Sequence, residues 1–346
     1  MKKFFSKSFR WAIVYSVMLT ASTALVLLDA FVIPQAIPPV SGPGYVLNGD
    51  ATQPTPSPAA AVTAGATVTM AATTSSATSP AAAGSPGSGG GSDSGSQPGG
   101  TALLTTDSYK DGNISIVISK ERLYGTQVYI ADIQLKSPEY LKSAFANNTF
   151  GRNITQTTSA IAAANGAIFA INGDYCGFRN SGFVIREGVL YRSTPRSKTD
   201  DEALVIYGDG SFEVVRENAV SASALLAKGA VQVFSFGPSL LAGGEVSVTE
   251  NSEVARAAAS NPRTAMGIVS PMHYIFIVSD GRSGASRGLT LSELASIFKD
   301  KGCGVAYNLD GGGSATMWFN GRVVNVPTDG MKAGERKISD IVYIGY

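Results

Sequence analysis

An α+β fold, a single strand-rich domain with mixed sheets and a few packed helices, follows from three features of the sequence. Runs rich in β-branched and aromatic residues recur from Ile114 to Val278, and Gly, Asp or Asn bounds each of them. Helical patterns are fewer and shorter. Both are confined to the part of the chain after about residue 105, because what precedes has the composition of an anchor and a linker.

The first segment carries Lys2, Lys3, Lys7 and Arg10 ahead of an uncharged run from Trp11 to Leu28. A signal-peptide core holds about 7–15 apolar residues, and a spanning helix needs roughly 17–25. Residues 1–33 are therefore expected to form a basic cytoplasmic flank and an uncleaved, single-pass membrane anchor. A cleaved signal, with Ser22-Thr23-Ala24 as its small-residue site, is the alternative. The basic flank stays in the cytoplasm, which puts the rest of the chain outside the cell.

Residues 34–104 are dominated by Ala, Thr, Ser, Pro and Gly, with almost no charge. Such a stretch buries too little apolar surface to offset its chain entropy. It is expected to be a disordered tether, spanning about 45 Å r.m.s. by the square-root rule.

Residues 105–346 form the domain. The runs "ISIVISKER", "TQVYIADIQL", "GAIFAING", "SGFVIREGVLYR", "EALVIYGDGSFEVV" and "HYIFIVSDG" read as strands, with hairpin turns at "REG" and "YGDGS". "SPEYLKSAFANN" opens with a helix-start signal, and "QTTSAIAAAN" and "ASALLAKG" are short Ala-rich helices. In "TLSELASIFKDKG", Thr290 and Glu293 have capping-box spacing, and Gly302 closes the helix.

Over 346 residues the hydrophobic content is 44%, the charged content 15% and the net charge +1. That balance provides no field for nucleic acid. The single histidine, His273, rules out a His-rich zinc site and leaves a Ser-His-Asp triad built on Ser314 poorly supplied. No cofactor is required by any motif. A calcium site using Asp174 or Asp310 stays open.

Chemistry concentrates in "YNLDGGGSATM". A buried strand ends at Asp310, and Gly311, Gly312 and Gly313 let the backbone turn and approach a ligand, with Ser314 and Thr316 following. "AINGDYCG" repeats the design with Asn172, Gly173 and Asp174. Arg263 in "NPRTAMG", Asp280 and Arg282 in "VSDGRSG", and Glu335, Arg336 and Asp340 in "GERKISD" add charges at strand ends. Arginine forks suit a phosphate bidentately. Cys176 and Cys303, each flanking one of the two motifs, are expected to form a disulfide.

The ordered blocks "INGDY", "FGPSLL", "NPRTAMG", "SDGR", "GLTLSELA", "NLDGGGSATM" and "ERKISD", over roughly residues 110 to 346, resemble the phosphodiester glycosidase family. One departure is Ala315, where many bacterial relatives carry a second serine. The resemblance implies a hydrolase that cleaves the glycosidic bond of a sugar-1-phosphodiester. Its substrate here would be a cell-surface glycan, and bacterial relatives are often connected with exopolysaccharide. Asp310 or Asp174 would be the catalytic carboxylate. Asn172, Arg263, Asp280, Arg282, Gly311, Gly312, Gly313, Ser314, Thr316 and Arg336 would bind substrate. A non-catalytic polysaccharide or cell-wall binder on the same fold is the alternative, disfavoured because both loop carboxylates and the arginines are intact.

Overall fold

The computed structural model describes residues 7–40, 102–248, 259–330 and 332–346, all within one compact unit. Most of the expected linker, residues 41–101, lies outside the described residues. Helix α1, Lys7–Phe31, includes Arg10–Phe31, a span long and apolar enough to cross a membrane, with mean hydropathy 1.9 and no burial against the domain.

The strand-rich α+β reading holds, and the layers follow from which faces are apolar. The largest sheet has nine strands. From one edge it runs Glu245–Val246, Ser239–Ala242, Val305–Asn308, Arg263–Ser270, His273–Ser279, Thr126–Leu135, Ile114–Leu123, Ser108–Lys110 and Leu103–Leu104. Its central strands, Arg263–Ser270 and His273–Ser279, are buried on both faces, and its edge strands are exposed. One face, with Ile116, Tyr129, Ile133, Met266, Phe276 and Tyr307, packs against two five-stranded sheets. The other, with Ile130, Ala265, Ile275 and Ile277, packs under helix α4, Leu291–Asp300. Helix α4 begins at the capping box expected of Thr290 and Glu293 and ends before Gly302.

The second sheet runs Arg322–Val323, Met317–Phe319, Phe169–Asn172, Asp340–Ile344 and Leu141–Phe145. Helix α2, Thr158–Ala164, covers its far side through Ile161 and Ala162. The third sheet runs Val189–Arg192, Val184–Arg186, Ala230–Phe234, Glu202–Tyr207 and Phe212–Arg216, covered by helix α3, Ala222–Ala227, through Leu225. Its first hairpin turns at Glu187 and Gly188, both left-handed, as the "REG" turn requires.

Two expectations are corrected. Every strand pairing among the described residues is antiparallel, so the sheets are not mixed. Helix α4 carries the chain past one strand, so Val305–Asn308 runs the same way as His273–Ser279. It pairs, however, with Arg263–Ser270 between them. "SPEYLKSAFANN" is not a helix. After a single turn at Pro138–Tyr140, Leu141–Phe145 is a strand along Asp340–Ile344. Leu141, Ser143 and Phe145 are buried and Lys142 and Ala144 less so, a period-two pattern that overrides the local start signal.

The Phe169 and Phe276 rings, 6.0 Å apart, join the first two sheets. Phe276→Ala is expected to destabilise the protein by about 3–5 kcal/mol, read as a lowered denaturation midpoint with an unchanged slope.

Candidate active site

Strand ends from two sheets converge on the fully buried side chain of Asn172. Its Oδ1 accepts from the Thr264 hydroxyl at 2.7 Å and from the Thr316 amide at 3.2 Å, and its Nδ2 donates to the Asp310 carbonyl at 2.7 Å. The loop that carries Asp310 is thereby fixed from behind, leaving its carboxyl group to face forward.

The Asp310 side chain is 12% exposed, at the floor of a cleft of about 1000 Å³. Its Oδ2 accepts from the Ser314 hydroxyl at 2.5 Å and from Arg336 Nη2 at 3.3 Å. Arg336 also donates to Ser314 Oγ at 2.6 Å, which closes a three-residue network. Burial pushes the Asp310 carboxyl above the usual carboxylate range, and Ser314 and Arg336 oppose that rise. A buried acid whose ionisation burial opposes and two directed donors favour is suited to chemistry.

The cleft walls are cationic. Six arginines line it, Arg179, Arg196, Arg216, Arg263, Arg282 and Arg336, together with Lys198, against four carboxylates, Asp200, Asp201, Glu202 and Asp310. Arg196 is committed to Glu217, at 2.8 Å. Arg263 is buried and donates to the Leu289 carbonyl at 2.9 Å. Arg282 reaches Asn261 Oδ1 at 3.2 Å. The Arg179 guanidinium lies 4.7 Å above the Phe236 ring and 5.6 Å from the Tyr175 ring, and it donates to the Ser235 carbonyl at 3.0 Å. Such a site attracts a polyanionic oxygen group and holds it with planar donors.

The glycines work differently from the anion cradle expected of them. The Gly312 amide donates to the Pro262 carbonyl at 2.8 Å, and the Ser314 and Ala315 amides donate back to Gly311 and Gly312. What the loop requires is close approach. A Cβ on Gly311 would stand 2.7 Å from the Pro262 oxygen, and Gly312 is left-handed beside Arg282. Gly311 and Gly312 line the cleft, while Gly313 is buried against Asp329.

The structure brings Asp310, Gly311, Gly312, Arg263, Arg282 and Arg336 together in the cleft. Ser314 stands beneath it, and Asn172 and Thr316 are fully buried in its scaffold. Asp174 and Asp280 are not among the lining residues. Asp280 is buried and accepts from the Val326 amide at 2.8 Å and the Tyr129 hydroxyl at 3.1 Å, so it fastens a loop. Glu335 caps α2 through the Ser159 amide at 2.9 Å, and His273 pairs with Asp132 at 3.0 Å at a strand start.

Asp174 belongs to a buried ion cluster. Arg186 Nη2 lies 3.1 Å from its Oδ1 and 2.8 Å from Asp340 Oδ2, and the Ser235 amide donates to Asp174 at 2.8 Å. Burial works against ionising Asp174, but Arg186, the Ser235 amide and the neighbouring arginines outweigh it, so its carboxyl lies below the usual range. Burial and the Asp174 charge push Asp340 up to about 6. Ligand atoms of Asp174, Cys176 and Asp340 lie within 4.8 Å of one another. Arg186 already supplies the positive charge, and a thiol with two carboxylates is a poor donor set for calcium, which takes six to eight oxygens.

The expected disulfide is absent. Cys176 and Cys303 are free, buried thiols in separate apolar clusters, Cys176 with Phe145 and Phe150 and Cys303 under α4. Burial raises both thiols, Cys303 to about 12, so neither is poised for oxidation.

The sequence reading missed Arg179, Arg196, Arg216 and Lys198, which stand on irregular segments or an edge strand with no motif spacing around them. Arg186 did carry a signal, a charge closing the otherwise apolar run "FVIR".

A model of the phosphodiester glycosidase family matches residues 160–345. The chain is 30% identical over 263 residues to the SPbeta prophage-derived uncharacterized protein YomE of Bacillus subtilis (strain 168). That alignment covers 70% of this chain and 40% of the relative, so the chain spans about two fifths of that protein's length. Among solved structures, it is similar to the zebrafish N-acetylglucosamine-1-phosphodiester alpha-N-acetylglucosaminidase catalytic domain, auto-inhibited by its pro-peptide. The TM-score is 0.54 at 23% identity, over 67% of this chain and 83% of that one, a likeness of fold.

Removing Arg186 leaves two buried carboxylates facing each other. Arg186→Met is expected to cost about 3–5 kcal/mol at neutral pH, measured by chemical denaturation. The pH dependence has two parts. The Asp174 contribution is full above the unfolded value near 3.8 and is lost as pH falls through its lower folded value. The cost of ionising Asp340 appears as pH rises from 3.8 to about 6.

Proposed function

The chain belongs to the phosphodiester glycosidase family, and from that membership we propose that it is a membrane-anchored extracytoplasmic hydrolase. It cleaves the glycosidic bond of a sugar-1-phosphodiester in a cell-surface glycan, with Asp310 as the catalytic carboxylate. The observation that carries this reading is the buried Asp310 carboxyl group at the floor of a cleft lined by six arginines.

The chemistry fits the geometry. A sugar-1-phosphodiester departs as a phosphate monoester, a good leaving group that needs little protonation. Two tasks remain, holding the phosphate and supporting positive charge at the anomeric carbon. The arginines hold the phosphate, with Arg282 and Arg336 against the glycine loop and Arg179 braced on Phe236 in the same cleft. The Asp310 carboxylate supports the anomeric centre, as nucleophile or as base for water. Ser314 and Arg336 keep it oriented and assist its ionisation. Asp174 is an ion-pair residue of the scaffold in this account, because Arg186 and the Ser235 amide engage both its oxygens. The helix Lys7–Phe31, preceded by a basic flank, supports a single-pass anchor with its N-terminus in the cytoplasm.

The test is hydrolysis by the full chain in detergent of a panel of chromogenic sugar-1-phosphodiesters, beside matching aryl glycosides without phosphate. The phosphodiesters are expected to turn over at least about tenfold faster in kcat/KM, the worth of one charge-assisted hydrogen bond. Tight binding of every glycan tried, with no turnover, would instead identify a non-catalytic binder. Arg282→Met is expected to raise KM about tenfold for the phosphodiester and leave the phosphate-free glycoside unaffected. Because Asp310 works ionised and its carboxyl is raised, activity is expected to fall on acidification at a pH above that of an ordinary aspartate.

A further inference from the structure

We propose that residues Asp29–Val40 form a clip that fastens the domain to the end of its own membrane helix. The domain then stands against the lipid surface, because the described residues that follow the helix, up to Val40, already lie on the domain. The proposal rests on the reading of α1 as an uncleaved membrane helix.

Two independent sets of contacts carry it. A helix leaves its last carbonyls without intrahelical partners. At the end of α1 a side chain from the domain reaches that region: the Asn153 amide donates to the carbonyls of Ile33 at 3.0 Å, Ala30 at 3.3 Å and Asp29 at 3.4 Å. Asn153 is held left-handed, a conformation asparagine tolerates. Beyond the helix, Gln35–Ala36 pairs antiparallel with Gly151–Arg152. The Ile37 amide then donates to the Phe150 carbonyl and the Val40 amide to the Leu190 carbonyl, each at 2.8 Å. Extended backbone bonds of this kind are the usual means of strand addition to a folded domain.

Gly151 shows that the domain surface is shaped for the segment. A Cβ there would stand 2.0 Å from the Gln35 oxygen and 2.9 Å from the Ala36 Cα, and its three nearest atoms all belong to the clip. The absence of a side chain at Gly151 leaves the room that the clip backbone occupies. Leu103–Leu104 forms the outermost strand of the nine-stranded sheet. At the junction Phe31, Val32 and Ile33 are exposed apolar residues, suited to the headgroup boundary.

The consequence concerns substrate. A free leash would carry the cleft on the order of 45 Å from the bilayer. The clip confines it to glycan phosphodiesters within reach of the lipid headgroups.

The experiment uses full-length protein in native membranes. Gln35→Cys and Arg152→Cys are introduced together, since these residues face each other in register. The control joins Gln35→Cys to Lys299→Cys on α4, which covers the large sheet away from the clip. The first pair is expected to oxidise at least about tenfold faster than the control, as fixed groups do compared with groups on a leash. Adding Gly151→Val to the first pair is expected to remove that advantage while the chain keeps its cooperative melting. Equal rates for both pairs, or fast oxidation that survives Gly151→Val, would overturn the clip. Hydrolysis is not read in this experiment, so failure of the glycosidase assignment leaves its outcome standing. A chain recovered from the soluble fraction without α1 would overturn the membrane placement directly.

Discussion

One side chain holds the floor of the cleft together. The Asn172 amide stands at the end of a strand of the second sheet. It joins Thr264 of the large sheet, the Asp310 carbonyl and the Thr316 amide. A neutral amide suits this position because it donates on one side and accepts on the other, and the bonds cross between two sheets. An aspartate could not donate to the Asp310 carbonyl, and a leucine would leave the buried Thr264 and Thr316 groups without a partner, at about 1–3 kcal/mol for each unsatisfied group. The position of Asp310 is thus a property of the sheets, which loop motion does not disturb.

Two similar motifs are built for opposite electrostatic ends. After "NGD" the Asp174 carboxylate is buried with a full positive partner, and its acidity increases. After "LDGGG" the Asp310 carboxyl is buried with a hydroxyl and a half-exposed arginine, and its acidity decreases. The first arrangement stabilises its charge within the scaffold. The second carries a destabilised charge at the floor of a cationic cleft, where function commonly accepts a cost in stability. The difference lies in the partner: Arg186 is sealed between two carboxylates, whereas Arg336 remains in reach of solvent at the cleft wall.

Much of this was legible in the chain. Apolar runs bounded by Gly and Asp located the strands. Thr290 with Glu293 located the start of α4. The aspartate behind the buried strand "VAYNL" is singled out as a candidate by its glycines and does line the cleft, although those glycines serve approach to Pro262 and Arg282 more than anion binding. What was illegible depends on tertiary partners. Leu141–Phe145 reads locally as helix, and only the C-terminal strand beside it makes it a strand. Nothing near Cys176 or Cys303 in sequence tells which cluster each enters. Arg179 and Arg196 acquire their place from Phe236 and Glu217, far along the chain.

The account turns on whether the Asp310 charge does chemistry or holds the fold, and Asp310→Asn separates the two when turnover and melting are measured on the same sample. The substitution keeps the shape and removes a charge whose burial is unfavourable. The account requires a melting temperature at pH 7 that is unchanged or raised. It also requires turnover of the sugar-1-phosphodiester lowered by about 10²-fold or more, the scale of a lost catalytic carboxylate. A variant that melts lower while each folded molecule keeps its full turnover would contradict it.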